Sequence, residues 1–440
     1  MKRGAIIRNL ALALAVFAAT PAAAQLSAPE QAMAASVEAD FERDVALLER
    51  IVLQNSGTHN HEGVRKVADM LAPEFEALGF RVEWIDQSAQ GRAGHLFARH
   101  KGKRGTTRML LIAHMDTVFE PDSGFDGFVR NGDTAIGPGV GDDKGGIVII
   151  LSALRAMKAA GTLADANIVV ALTGDEEEAG SPVELARADL VKAAEWADVA
   201  LDFEGLSRLD GRDMGVIARR SANNWTLRVT AASGHSSGMF GKGVSYGAIY
   251  ELARILDRFR QELPEENLTF NVGVAAGGTP AEMSADGLSA SAVGKTNIIP
   301  SEAIARGDLR TISQEQSDRI AAAMQAIVDD NLPGTDAEIE FEFRYPPMAP
   351  TEGNRALFDK LNQVSIDMGL GEMGIYPPSR RGAGDINFVA HLVDGLAGLG
   401  PGGTRSHAPG ETIALPTLTR QAKRAAVLMS RLAREKRARD

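Results

Sequence analysis

Four times along this chain an apolar run of strand length stops at side chains that can bind a metal. Residues 109–113 end at His114-Met115-Asp116, and residues 166–172 run into Asp175-Glu176-Glu177-Glu178. Residues 197–201 end at Asp202-Phe203-Glu204; a weaker run, 392–399, precedes a glycine-rich turn and His407. Apolar throughout rather than alternating, such runs suit strands covered on both faces. Helical segments lie between them (147–159 and 182–194), which is the alternation of a helix-flanked, mostly parallel α/β sheet. Open sheets of this kind place ligands outside the carboxyl ends of their strands. One cluster at that edge is the economical reading of all four runs.

The stretch Gly137-Pro138-Gly139-Val140-Gly141-Asp142-Asp143-Lys144-Gly145-Gly146 sits between two of these runs and opens the helical segment 147–159. Two phosphate-binding readings fail. A P-loop needs Gly-Lys-Ser/Thr, whereas Lys144 lies between Asp143 and Gly145. A dinucleotide turn would put a phosphate at a helix start where two carboxylates repel it. Paired carboxylates in a tight turn favour a hard cation; the plainer alternative is an aspartate capping a buried helix.

Residues 1–24 read as an export signal. Lys2, Arg3 and Arg8 precede the apolar run 10–19, and Ala22-Ala23-Ala24 is a small-residue cleavage site. Removing those three charges takes the net charge from −11 to −14. The expected location is periplasmic or secreted, without a membrane anchor, since the run is too short to span a bilayer. The acidic balance argues against a nucleic-acid partner and gives no hint of a basic membrane-binding face, so no membrane partner is expected after signal removal. With no cysteine, the chain forms no disulfide, and any zinc would be held by His and carboxylates.

The first catalytic segment is expected over residues 25–212, with helical patterns at 28–53 and 64–78 and strands at 80–85 and 95–99. Over 213–345 the order changes to strand, helix, strands, helix, strand. It predicts an inserted two-layer βαββαβ domain, with strands at 225–230, 268–274, 289–293, 303–309 and 339–344 and helices at 244–263 and 314–329. Residues 346–440 return to the first pattern and end in a basic tail, 431–439, read as a solvated helix end.

Hydrolysis by a metal pair needs two imidazoles, a bridging carboxylate, two terminal carboxylates and a carboxylate base that is not a ligand. The chain offers a residue for each role. His114-Met115-Asp116, Gly141-Asp142-Asp143-Lys144-Gly145-Gly146, Asp175-Glu176-Glu177, Phe203-Glu204-Gly205 and His407 before Ala408-Pro409-Gly410-Glu411 together resemble the di-zinc exopeptidases. That family contains bacterial glutamate carboxypeptidase, aminoacylase, succinyl-diaminopimelate desuccinylase and carnosine-type dipeptidases. The resemblance covers the mature chain in order, inserted domain included.

It implies two zinc ions per subunit, with cobalt or manganese also able to use such ligands. Asp142 would bridge them, His114 and Glu204 would complete one site, and Glu177 and His407 the other. Glu176 would be the general base, Asp116 would orient His114, and the Asp142–Asp143 peptide would be cis. An extra residue in Asp175-Glu176-Glu177-Glu178-Ala179-Gly180 leaves open a register with Glu177 as base and Glu178 as ligand, and Asp202 could replace Glu204. His235, in Ser-Gly-His-Ser-Ser-Gly, matches a histidine that reaches a partner subunit's active site, which implies a homodimer. Asn297 and Arg310 match positions that grip the substrate carboxylate, and Gly384 lies in a substrate-facing turn. The implied substrate is a small peptide or N-acyl amino acid, cleaved at an amide next to a free carboxylate.

Two rivals remain. Gly234-His235-Ser236-Ser237-Gly238 fits the nucleophile-elbow pattern, with Asp385 and His407 following in hydrolase order, yet 239–243 intervene before any helix. A non-catalytic zinc or peptide-binding scaffold would keep ligands and lose the base, and Glu176 is present. Of the other histidines, His59 and His61 flank a helix start, His95 and His100 bracket a strand, and His391 is placed on an apolar helix.

Overall fold

A computed structural model describes residues 26–437, so the expected export signal lies outside the described residues. The central sheet has six strands in the order Arg81–Asp86, Gly94–His100, Asn167–Thr173, Arg108–His114, Val199–Asp202, Asp394–Leu396. Gly94–His100 alone runs against the others, which makes the sheet mostly parallel.

The unbroken apolar runs feed two cores at once. Met109, Leu111 and Ala113 point into the layer shared with Ile168, Val170 and Leu172. Leu110, Ile112, Val169 and Ala171 point the other way, against Leu190, Ala193 and Ala194. This is the two-sided burial that the absence of alternation predicts. The Lys144–Ala159 helix is buried on nearly every side, packed between the sheet and the helices Ala28–Ala39 and Pro416–Leu432. Its lack of a polar face is thereby explained.

The inserted part is a separate two-layer unit. Its sheet runs Thr269–Phe270, Glu302–Arg310, Ala222–Ala231, Thr335–Tyr345, with Val274–Gly278 also on Glu302–Arg310. Alternate residues Trp225, Leu227 and Val229 face Ile255, Phe259, Ile320 and Met324 of the two covering helices, Ala248–Glu262 and Gln314–Asp329.

Several expected elements are corrected. The 28–53 helix breaks at Asp40 (φ −88°, ψ 1°) into Ala28–Ala39 and Phe41–Val52. The 182–194 helix splits at Arg187, whose side chain is drawn inward to buried carboxylates. The 244–263 helix starts only at Ala248, because Gly247 at φ 81° is left-handed. The 268–274 strand is two short strands, and 289–293 contributes only Ala290–Ala292 to a ribbon with Ala281–Met283. His391 is exposed in a turn after the short 3-10 helix Asp385–Phe388, not on a helix. The basic tail is docked rather than solvated: Arg431 pairs with Glu30 and Asp367, and Arg437 with Asp198. Among the described residues no helix is long and apolar enough to cross a membrane.

Candidate metal centre

Strand ends and two turns bring the expected ligands together. His114 closes its strand, and Asp142 hangs from the turn before the Lys144–Ala159 helix. That turn needs glycine at 139, where φ is 70° and a Cβ would lie 2.3 Å from Thr117 Cγ2. It is gathered from below by Glu411, whose carboxylate accepts the N–H groups of Gly139 (2.9 Å), Gly141 (2.8 Å) and Asp142 (2.9 Å). Burial, with the Asp142 charge adding to it, pushes the Glu411 pKa up to about 7. The Asp142–Asp143 peptide is cis, as the resemblance implied.

Asp142 directs one oxygen to each imidazole. Oδ1 lies 3.2 Å from His114 Nε2, and Oδ2 lies 3.2 Å from His407 Nε2. His407 Nε2 is also 3.0 Å from Glu177 Oε2. Candidate ligand atoms of His114, Asp142 and Glu177 all fall within 4.8 Å of one another. His407 sits at φ 61°, a left-handed conformation that His tolerates better than most residues.

Asp116 is buried beneath this cluster. Its carboxylate is 3.4 Å from His114 Nδ1 and accepts the Thr58 hydroxyl (2.7 Å) and the N–H groups of Glu176 (3.0 Å) and Glu177 (3.2 Å). One side chain thus orients both an imidazole and the acidic turn. The turn's register follows: Glu177 faces His407, while exposed Glu178 turns outward to His59 (3.0 Å) and Arg92 (2.8 Å). The alternative with Glu178 as ligand does not form.

Glu204 reaches the same pocket but is held from its far wall. Arg219 grips it with two bonds (2.7 and 2.9 Å), and Arg381 adds a third at 3.1 Å. Asp202 lies behind, bonded to Arg219 at 3.0 Å, so Glu204 rather than Asp202 borders the pocket. Gly384 leaves no room for a side chain here: a Cβ would sit 2.2 Å from Glu204 Oε1 and 2.5 Å from Arg219 Nη1. Its role in this structure is to admit that ion pair.

Sequence reasoning missed both guanidiniums, and also Tyr345 and Arg187. The Tyr345 hydroxyl donates to the Glu176 carbonyl at 2.6 Å. Arg187, buried below, bonds Asp175 and Asp385, each at 2.7 Å. The only signal for Arg219 was its place directly after the apolar residues 216–218.

The charges explain the pKa pattern. Burial lifts Glu176 well above the carboxylate range, and the Glu204 charge adds to it. Burial also raises Glu177. Burial works the same way on Asp142, yet hydrogen bonds from His114 and His407 hold it below its ordinary value. His407 is pushed up to about 11 by its bonds to Asp142 and Glu177, and despite burial Asp116 and Asp142 raise His114. Two imidazoles on opposite oxygens of one carboxylate, with a second carboxylate on one imidazole and a third oriented from behind, form a nitrogen and oxygen donor set that fits two metal ions.

With its pKa pushed up to about 11, His407 holds a proton at neutral pH in the metal-free protein that a metal must displace, and the upward shift of His114 acts in the same sense. Metal affinity therefore rises with pH. Chelator competition at pH 6, 7 and 8 should show tightening of up to about tenfold per pH unit for each proton displaced. An affinity independent of pH would contradict the protonated cluster.

The remaining expected residues divide. Arg310, at the end of its strand, lines a cleft of about 380 Å³ with Glu176, Glu177, His407, Tyr345 and Arg344. His235 and Asn297 are exposed on the inserted unit, joined through the Ser236 N–H to the Asn297 carbonyl (3.0 Å), and neither lines that cleft. No Ser236 triad assembles: Asp385 is committed to Arg187 and Thr173, and His407 to Asp142 and Glu177. His95 and His100 are structural, bonded to the carbonyls of Ala186 and Ala166.

Carboxypeptidase G2 from Pseudomonas sp. (strain RS-16) is 28% identical over 354 residues, covering 79% of this chain and 78% of that protein. Succinyl-diaminopimelate desuccinylase from Bordetella avium (strain 197N) is 25% identical over 368 residues, covering 79% of this chain and 88% of that one. The solved structure of aminopeptidase PepT from Bacillus cereus ATCC 10987 superposes with a TM-score of 0.71 at 19% identity, covering 90% and 99% of the two chains. Residues 110–433 match the family described as peptidase family M20/M25/M40. The chain belongs to that family and is a metal-dependent hydrolase of the peptidase and amidohydrolase type.

Proposed function

We propose that this protein is a di-zinc exopeptidase, exported to the periplasm or secreted, that cleaves an amide bond next to a free carboxylate. A carboxypeptidase resembling glutamate carboxypeptidase is the favoured form. The observation that carries this reading is the cleft itself: Arg310 and Arg344 line it together with Glu176, so guanidiniums able to bind a carboxylate and the candidate base share one cleft. Arg310 spends Nε on Asp308 (3.0 Å), leaving its terminal nitrogens for a ligand.

When bound, the metals would lower the pKa of water and polarise the scissile carbonyl. His114, Asp142, Glu204, Glu177 and His407 would hold them. Glu204 would do so from the grip of Arg219, which fixes its orientation and limits its freedom to shift. Glu176, whose pKa burial raises above the ordinary carboxylate value, would take the proton of the attacking water on a carboxylate oxygen and return it to the leaving nitrogen. Asp116 would keep the His114 ring and the Glu176 backbone in register.

His235 and Asn297 are exposed outside the cleft, so a part in substrate binding requires a second copy of the chain. We take the active form to be a homodimer; a monomer by light scattering at assay concentration would rule out that part. The test of specificity is a panel of peptides, N-acyl amino acids and dipeptides, each with a free or amidated carboxylate. Arg310→Ala should raise KM by about 10–100-fold for free-carboxylate substrates, the worth of a charged hydrogen-bonded pair, with far less effect on amidated ones. Equal losses on both would remove Arg310 from carboxylate recognition. A preference for N-acyl amino acids or for dipeptides would place the enzyme among aminoacylases or dipeptidases on the same scaffold.

A further inference from the structure

At the opposite end of the central sheet lies a larger cleft, about 670 Å³, lined by Arg81, Arg99, Lys101, Arg104 and Arg108 and by no aspartate or glutamate. Arg108 begins the strand that His114 ends, so six residue steps, roughly 20 Å, separate this cleft from the metal centre. The volume lies in the range of small-ligand sites.

Three observations make it more than a basic surface. First, Arg81 stands directly opposite Arg99 in the antiparallel pair, with Val169 next in the same cross-strand row. Like charges so placed repel, and among the described residues no carboxylate in the cleft's lining compensates them. Among the described residues none of the five cations forms an ion pair, whereas Arg130, Arg258 and Arg319, also on the surface, each find a carboxylate. Second, two of the guanidiniums are set in place by uncharged contacts. Arg108 lies over the Trp196 ring at 5.4 Å and donates to the Trp196 carbonyl at 3.2 Å, and Arg99 lies over the Phe97 ring at 5.5 Å. Arg108 spends one donor on that carbonyl, and the remaining guanidinium donors of both residues meet no carboxylate among the described residues. Third, this concentration of positive charge occurs on a chain whose net charge is −11, so it is not a by-product of a basic composition.

We infer that this cleft binds more than one phosphate group at a time, carried on one polyphosphate or presented side by side by a surface. Planar guanidinium forks match phosphate oxygens in pairs, and four arginines with a lysine exceed what one orthophosphate can engage. Occupation would relieve the Arg81–Arg99 repulsion and anchor the protein through a face remote from its catalytic edge. The phosphates could belong to a free polyphosphate or to the headgroups of an anionic bilayer.

Titration calorimetry of the full chain with sodium tripolyphosphate tests the free source, and co-sedimentation with phosphatidylglycerol vesicles against phosphatidylcholine vesicles tests the bilayer. Saturable binding in either arm is expected, weakening as salt is raised. It should fall at least tenfold in Arg81→Gln/Arg99→Gln and, independently, in Lys101→Gln/Arg104→Gln, whose side chains are exposed and whose loss leaves the core untouched. Peptidase activity should be unchanged in both variants. Binding in one arm alone identifies the source. No binding in either arm, or wild-type binding by both variants, overturns the assignment.

Discussion

Glu176→Gln should abolish turnover while leaving the metals in place. The substitution is nearly isosteric, and the residue is positioned by its backbone: its N–H donates to Asp116 and its carbonyl accepts from Tyr345. Neither bond depends on the carboxylate. What is lost is the ability to accept a proton, which Gln cannot do. General-base catalysis contributes about 10²–10⁴-fold, so kcat should fall about 10³-fold or more, roughly 4 kcal/mol of barrier. Metal content should match wild type, because Glu177, not Glu176, meets His407. Glu177→Gln supplies the contrast: metal and activity should decline together. Metal loss in Glu176→Gln would reverse the two assignments, and retained turnover would place the base elsewhere.

The second large effect is on stability. Arg187 is 1% exposed and sits between two buried carboxylates, bonding Asp175 Oδ1 and Asp385 Oδ1 at 2.7 Å each and the Asp175 carbonyl at 3.0 Å. Its guanidinium also lies over the Phe388 ring at 5.4 Å. Arg187→Met keeps much of the apolar stem but strands two buried charges. Breaking one side of such a pair costs about 3–5 kcal/mol, because the remaining charge stays desolvated. Denaturant unfolding should register a loss of that order. Adding Asp175→Asn and Asp385→Asn to Arg187→Met should recover a substantial part, since neutral amides need less compensation. Activity should fall in the single variant as well, for the Asp175 turn carries Glu176 and the Asp385 turn carries Gly384. A loss below 1 kcal/mol would mean that the carboxylates find other partners.

How far the sequence foretold this arrangement depended on the physics of each feature. That His114, the acidic turn 175–178 and Glu204 converge was legible because two-sided strands leave an unbroken apolar run whose end has one place to go in a parallel sheet, whereas Asp142, in the turn before a helix, and the role of each residue were read from the resemblance. The register of Glu176-Glu177-Glu178 was not fixed by that logic. It is decided by Asp116, which captures two successive backbone N–H groups and so rotates Glu178 outward. The grip of Arg219 on Glu204 was invisible for another reason: the partners are 15 residues apart and meet only because a short hairpin, Ser207–Leu209 with Arg212–Gly215, folds the chain back. Arg187 read as an ordinary helical residue, and the bend it makes comes from charges contributed by distant turns. The tail failed similarly. Its basic composition suggested solvent, but Arg431 and Arg437 find carboxylates on other parts of the fold.

The proposed hydrolysis depends on metal held at Asp142. Metal content and activity should be measured together on the mature protein, before and after chelation and on adding zinc back. About two metals per chain, release of a free amino acid that stops with chelator and returns with zinc, and loss of both metal and activity in Asp142→Asn are the predicted results. Full activity in the metal-free protein would contradict the account.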